Sequence, residues 1–299
     1  NGPVATLVAH PRCHLFDAAA GGRPMMRDAR GAPRRRCAVT DSRRFDELSD
    51  ELARGVRDSP ELVGLALMGS ASEAGRHRRD EWSDHDFFAI AADGAGPRVR
   101  ADLSWLPRQE NIVLALPEGG AGVVVLYDDG HLLEFAAAHP AELEGALAGL
   151  TTVTVDDEAG TVATLIDESQ ARAAASIATD PALEAGLALI KLRIGVGRDR
   201  RGEVVSGGLF VRTWAVQPLV RALRGRLLDP DEPLRDILEP TRRLERVLPA
   251  PAAALAEAVA QPVEPAARAL FALMRRELEP DWPEFPSRAA DVIAARFGW

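Results

Sequence analysis

The sequence predicts an α+β chain, with a small mixed sheet and flanking helices followed by a C-terminal helical bundle. Two observations carry this. Between residues 62 and 138 short apolar or alternating runs recur, bounded by Gly, Pro and Asp, which is the texture of strands. From about residue 168 the texture changes to Ala, Leu, Arg and Glu at helical spacing, with prolines between the segments. A chain of 299 residues is long enough for two cores. The expected units are a disordered tail over 1–38, an α+β domain over 39–167 and a helical domain over 168–299.

The tail is expected because "AAAGGRPMMRDARGAPRRRC" is rich in Gly, Pro, Ala and Arg without periodicity. Phe45, Leu48, Leu52 and Val56 then fall at helical spacing, predicting a helix over about 42–58. Strands are expected at 62–68, 86–92, 111–117, 122–129 and 131–138, with a helix in "VRADLSWL" between the second and third. "YDDGH" reads as a hairpin turn joining 122–129 to 131–138. "TVTVDDEAGTVATLI" (152–166) reads as one more strand or hairpin. Helices are expected over about 168–178, 181–200, 204–225, 233–247, 251–260, 264–278 and 287–297. Pro218 predicts a kink near 214–218.

Composition narrows the function. Residues 1–44 hold nine Arg against three Asp, so the net charge of -9 leaves an acidic body. Duplex nucleic acid is therefore not an expected partner, because phosphate contacts need clustered Lys or Arg. No apolar run approaches the roughly 20 residues that span a bilayer, and the first residues lack the pattern of a leader, so a cytoplasmic protein without membrane contact is expected. The cysteines, Cys13 and Cys37, provide neither a disulfide framework nor a cysteine zinc site. Lys191 is the sole lysine among 36 basic residues, which suggests a position where a compact ammonium is needed.

The most informative stretch is "GSASEAGRHRRDEWSDHDF" (69–87), set between two apolar runs. Asp84 and Asp86 are two apart on a predicted strand, so they share a face while His85 points the other way. A third carboxylate, Glu134, sits between Leu133 and Phe135 on another predicted strand. Three carboxylates on neighbouring strands suit a hard divalent ion, Mg²⁺ above all. Gly69 and Ser70 close the preceding strand, where a glycine lets the backbone approach a ligand and Ser70 can open a short helix. His85 reads as a satisfied, half-buried histidine, and His77, Arg78 and Arg79 as a solvated loop.

This combination resembles the nucleotidyltransferase superfamily typified by DNA polymerase β, and within it the aminoglycoside and lincosamide nucleotidyltransferases, which also carry a helical domain after the catalytic one. The motifs cover about residues 45–140, and the remainder is similar only in architecture. The resemblance implies that Asp84 and Asp86 hold two Mg²⁺ ions and that Glu134 completes the second metal site and serves as general base. It implies further that Gly69, Ser70 and Ser83 hold the triphosphate of ATP or another nucleoside triphosphate, with Lys191 of the helical half reaching the same phosphates. The activity implied is transfer of a nucleoside monophosphate, AMP from ATP, to a hydroxyl of a small-molecule acceptor such as an aminoglycoside-like antibiotic. Two alternatives stand beside it: a protein-modifying, antitoxin-type nucleotidyltransferase, and a non-catalytic nucleotide sensor. His85 departs from the family pattern, whose Asp-X-Asp signature usually has an apolar residue there.

Overall fold

The computed structural model describes residues 38–175, 180–229, 236 and 238–299, the side chains of 38–41 excepted. The expected tail therefore lies outside the described residues, apart from the backbone of Ala38. The chain is α+β and parts into two compact units between Ala174 and Ala175.

The first unit opens with helix α1 (Ala38–Asp58). Its predicted apolar face, Phe45, Leu48, Leu52 and Val56, is buried. The sheet follows, with β1 (Leu62–Met68), β2 (His85–Ala91), β3 (Ile112–Glu118), β4 (Gly122–Tyr127), β5 (Leu132–Ala138) and β6 (Thr151–Val155). Its strand order is β3-β4-β5-β2-β1-β6. The β2–β5 pairing is parallel and the other pairings are antiparallel. A short helix, α2 (Gly96–Ala101), follows β2.

Alternation along the strands divides the core in two. Leu65, Leu67, Phe87, Ala89, Leu133 and Phe135 pack with α1 on one face of the sheet. Ala66, Phe88, Ile90, Ala136 and Ala138 pack on the other with Val162, Leu165 and Ile166 of helix α3 (Thr161–Ala175). The strand or hairpin expected over 152–166 is corrected accordingly: the strand ends at Val155 and the helix begins at Thr161. Its β-branched residues mimic a strand, but Asp156 and Asp157 stop it. Asp157 accepts from the Thr161 N–H at 2.9 Å, and Asp156 from those of Val162 at 2.8 Å and Ala163 at 3.0 Å. These bonds satisfy donors that a helix leaves open at its start. The helix expected over 168–178 is therefore, up to Ala175, the second half of a longer one that packs on the sheet, and 176–178 lie outside the described residues.

The second unit contains α4 (Pro181–Asp199), α5 (Val204–Leu209), α6 (Val216–Leu227), α7 (Leu244–Val247), α8 (Pro249–Val259), α9 (Val263–Leu278) and α10 (Ser287–Phe297). Asp180 caps α4, accepting from the Ala182 N–H at 2.9 Å ahead of a favourable proline at the first helical position. Leu189, Leu192, Leu219, Leu223, Leu270 and Met274 form its centre. The single helix expected over 204–225 is interrupted by a π turn, Phe210–Trp214, in which the Ala215 N–H donates to Phe210 O at 2.9 Å. Pro218 follows within the same run of helical turns, and because it has no N–H it offers no bond to the turn before it, which is where the π turn sits. Of the helix expected over 233–247, residues 233–235 and 237 lie outside the described residues, and the described remainder is helical only at α7.

Tyr127, the only tyrosine, reports on the first unit. It is buried and its Oη donates to Pro107 O at 2.8 Å, and burial pushes its pKa up to about 12. The raised value means that this group stabilises the fold fully below pH ~10, with the contribution lost as pH rises from there toward about 12. Tyrosinate absorbance at 295 nm should rise near pH 12 in the native protein and near pH 10 in urea. A native midpoint at the urea value would contradict the burial.

Candidate active site

The parallel pairing of β2 with β5 places Asp86 opposite Glu134 and His85 opposite Leu133. Paired residues in register point to the same face, so Asp86 and Glu134 share the α3 side of the sheet, and Asp84, two residues before Asp86, shares it too. One carboxylate oxygen from each of Asp84, Asp86 and Glu134 lies within 4.8 Å of the others, and all three residues are half-buried. Two such charges at that separation repel by about 3 kcal/mol at an effective dielectric constant of ~20. A cation among them reverses the sign. Three carboxylate oxygens with no nitrogen or sulfur donor fit a hard divalent ion such as Mg²⁺, which takes its other ligands from water or phosphate.

The Gly69–Ser70 turn lies beside this trio. Met68 at the end of β1 pairs with Asp86, and Gly69 follows with φ +56, a left-handed conformation that favours glycine. A Cβ on Gly69 would lie 3.4 Å from Asp86 Oδ2, so the glycine keeps the space next to that carboxylate open. Its N–H donates to Leu150 O at 2.8 Å, and the Ser70 hydroxyl donates to Asp84 O at 3.3 Å. The short helix expected at Ser70 is a single 3₁₀ turn, Gly69–Ala71. Ser83 lies in a separate small turn, where its Oγ accepts from the Asp80 N–H at 2.9 Å. Lys191 sits on α4 in the second unit, its Nζ 5.8 Å from the centre of the Phe210 ring.

The segment between the two halves of the motif is not the solvated loop that its charges suggest. His77 is exposed, but the Arg79 side chain is only 9% exposed. Arg79 Nε and Nη2 each donate to Ser70 O at 3.2 Å, and its Nη1 pairs with Asp46 on α1. The same guanidinium lies 4.0 Å from the centre of the Phe45 ring, and Phe45 stacks on His85 at 3.7 Å. Arg79, Phe45 and His85 thus join the Gly-Ser turn to the Asp-X-Asp strand through α1. Gly75 tightens the loop further. The Gly75 N–H donates to Ser72 Oγ at 3.0 Å while Ser72 Oγ donates to Gly69 O at 2.8 Å.

His85 is satisfied, as expected, but wholly buried rather than half-buried. Both ring nitrogens have partners, His131 Nε2 at 2.7 Å and Ser49 Oγ at 2.9 Å. Sequence reasoning singled out neither His131 nor Ser49. The signal was faint: a histidine where apolar residues are usual implies polar partners on whatever covers that face.

No protein-family model and no curated protein matches the chain. Among solved structures, an aminoglycoside 6-adenyltransferase from Bacillus subtilis is similar over 85% of this chain and 92% of its own, at a TM-score of 0.27 and 11% identity. A likeness of that size carries no weight for function, which rests on the site itself.

A Cβ on Gly75 would fall 1.7 Å from Gly69 O, so Gly75→Ala must displace the turn that flanks Asp86. We expect it to lower the stability of the first unit by about 1–3 kcal/mol in urea unfolding. Gly186→Ala, a helix position with nothing within 4 Å of the added carbon, is the control and should gain up to about 1 kcal/mol. Equal effects from the two would contradict the packing described for the loop.

Proposed function

We propose that this chain is a Mg²⁺-dependent nucleotidyltransferase that moves a nucleoside monophosphate, AMP from ATP, to a hydroxyl of a small molecule and releases pyrophosphate. The observation that carries the reading is the convergence of Asp84, Asp86 and Glu134 from two adjacent strands next to the Gly69–Ser70 turn. Asp84 and Asp86 would hold the ions, with Glu134 completing a second site. When bound, Mg²⁺ would neutralise charge on the phosphate oxygens and lower the pKa of the attacking hydroxyl, which makes a carboxylate an adequate base.

The chain's own groups have separate tasks. Gly69 leaves room for a phosphate group to approach beside Asp86, which a side chain there would narrow. Ser70 fixes the turn through Asp84 O, and Arg79 fixes it through Ser70 O. Glu134 takes the proton of the acceptor hydroxyl as its oxygen attacks the α-phosphorus. The bond from that phosphorus to the bridging oxygen breaks, and pyrophosphate leaves with the electron pair. An acidic body favours a cationic acceptor, and an aminoglycoside-like antibiotic is the acceptor class proposed.

The test incubates the protein with Mg²⁺ and each α-labelled nucleoside triphosphate, against aminoglycosides, lincosamides and a cell lysate. Label should move from ATP to a small molecule, and Asp84→Asn and Glu134→Gln should each lower the rate at least about 100-fold. Label appearing only on protein, or wild-type rates in Asp84→Asn, would overturn the reading.

A further inference from the structure

The carboxylate face of the sheet has a counterpart on the opposite face. His85 is fully buried there, stacked on Phe45, between His131 and Ser49. The direction of each proton follows from the partners. The Ser49 hydroxyl donates its single proton to Phe45 O at 3.2 Å, so at Ser49 Oγ it is the His85 Nε2–H that donates. A neutral imidazole carries one N–H, and that of the fully buried His85 is spent at Ser49. Its Nδ1 therefore accepts, and the His131 Nε2–H donates to it at 2.7 Å. The chain of bonds runs one way, from His131 through His85 and Ser49 to the backbone of α1.

We infer that the His131–His85–Ser49 chain is a positioning device that holds the Asp84–Asp86 segment of β2 against the Glu134 end of β5 and so fixes the three carboxylates at the separation that a divalent cation requires. The inference rests on the metal-binding part of the proposed function. His85 lies between two of the carboxylates in sequence, and His131 lies just ahead of the strand that carries the third. Both strands begin at this point, β2 at His85 and β5 at Leu132, and a ladder frays most readily at its ends. An apolar residue at 85 would fill the same space without a directed bond to β5. The histidine ties the ends of the two strands to each other and to α1, behind the carboxylates and out of contact with anything they would bind. This is the arrangement in which groups behind a ligand set tune metal affinity, with losses of about tenfold to a hundredfold when they are removed.

The experiment measures Mn²⁺ binding to the full chain by electron paramagnetic resonance, without nucleotide or acceptor, so that turnover plays no part. His131→Ala should weaken Mn²⁺ binding about tenfold or more. His131→Gln, which can return an N–H near the Nε2 position, should recover most of that loss. Long-range ¹H–¹⁵N correlation should find the wild-type His85 proton on Nε2. Wild-type affinity in His131→Ala, no recovery in His131→Gln, or a His85 proton on Nδ1 would overturn the positioning role while leaving the metal site standing. Absence of Mn²⁺ binding by the wild type, matching Asp84→Asn, would overturn the metal site and the positioning role with it.

Discussion

The parallel pairing of β2 with β5 is the constraint on which the site depends. It sets Asp86 opposite Glu134, and because side chains alternate along each strand, it sends both carboxylates to one face together with Asp84. A slip of one residue in β5 would turn Glu134 toward α1 and bring Leu133 to the carboxylate side. The apolar alternation that buries Leu133, Phe135 and Ala137 against α1 therefore also fixes where the acid goes. Core packing and site geometry are set by the same register.

Bringing three carboxylates together costs stability, and the compensation is distributed. On the far face of the sheet, Phe45, His85, Phe87 and Phe135 pack closely, with Phe87 and Phe135 stacked at 4.6 Å. Such a buried layer resists the relaxation by which repelling groups would otherwise separate. Arg79 brings a positive charge to the rear of the Gly-Ser turn, where its guanidinium is held by Ser70 O, Asp46 and the Phe45 ring. The turn, the Asp-X-Asp strand and α1 thereby form one connected unit around the carboxylates.

Much of this was legible in the sequence because its signals are local. The β strands came from short apolar runs between turn residues, α1 from four apolar residues at helical spacing, and the trio from carboxylates placed inside apolar strands. What stayed hidden depends on contacts between distant residues. Arg79 sits in a run of charges that reads as solvated, and only its bonds to Ser70 and Asp46 make it a buried strut. The His131–His85 contact joins residues 46 apart in sequence, and no local pattern announces it. The stretch at 152–166 departs from its strand-like pattern for another reason: Thr and Val suit strands, yet the two aspartates before Thr161 supply a helix start whose bonds outweigh that preference.

The most direct test of the account is anomalous scattering from crystals of the protein grown with Mn²⁺ and a non-hydrolysable nucleoside triphosphate. Manganese peaks should appear about 2.2 Å from oxygens of Asp84, Asp86 and Glu134, with the triphosphate entering beside Gly69. Manganese bound elsewhere while these three carboxylates have none near them, or a triphosphate held away from the Gly69–Ser70 turn, would contradict it.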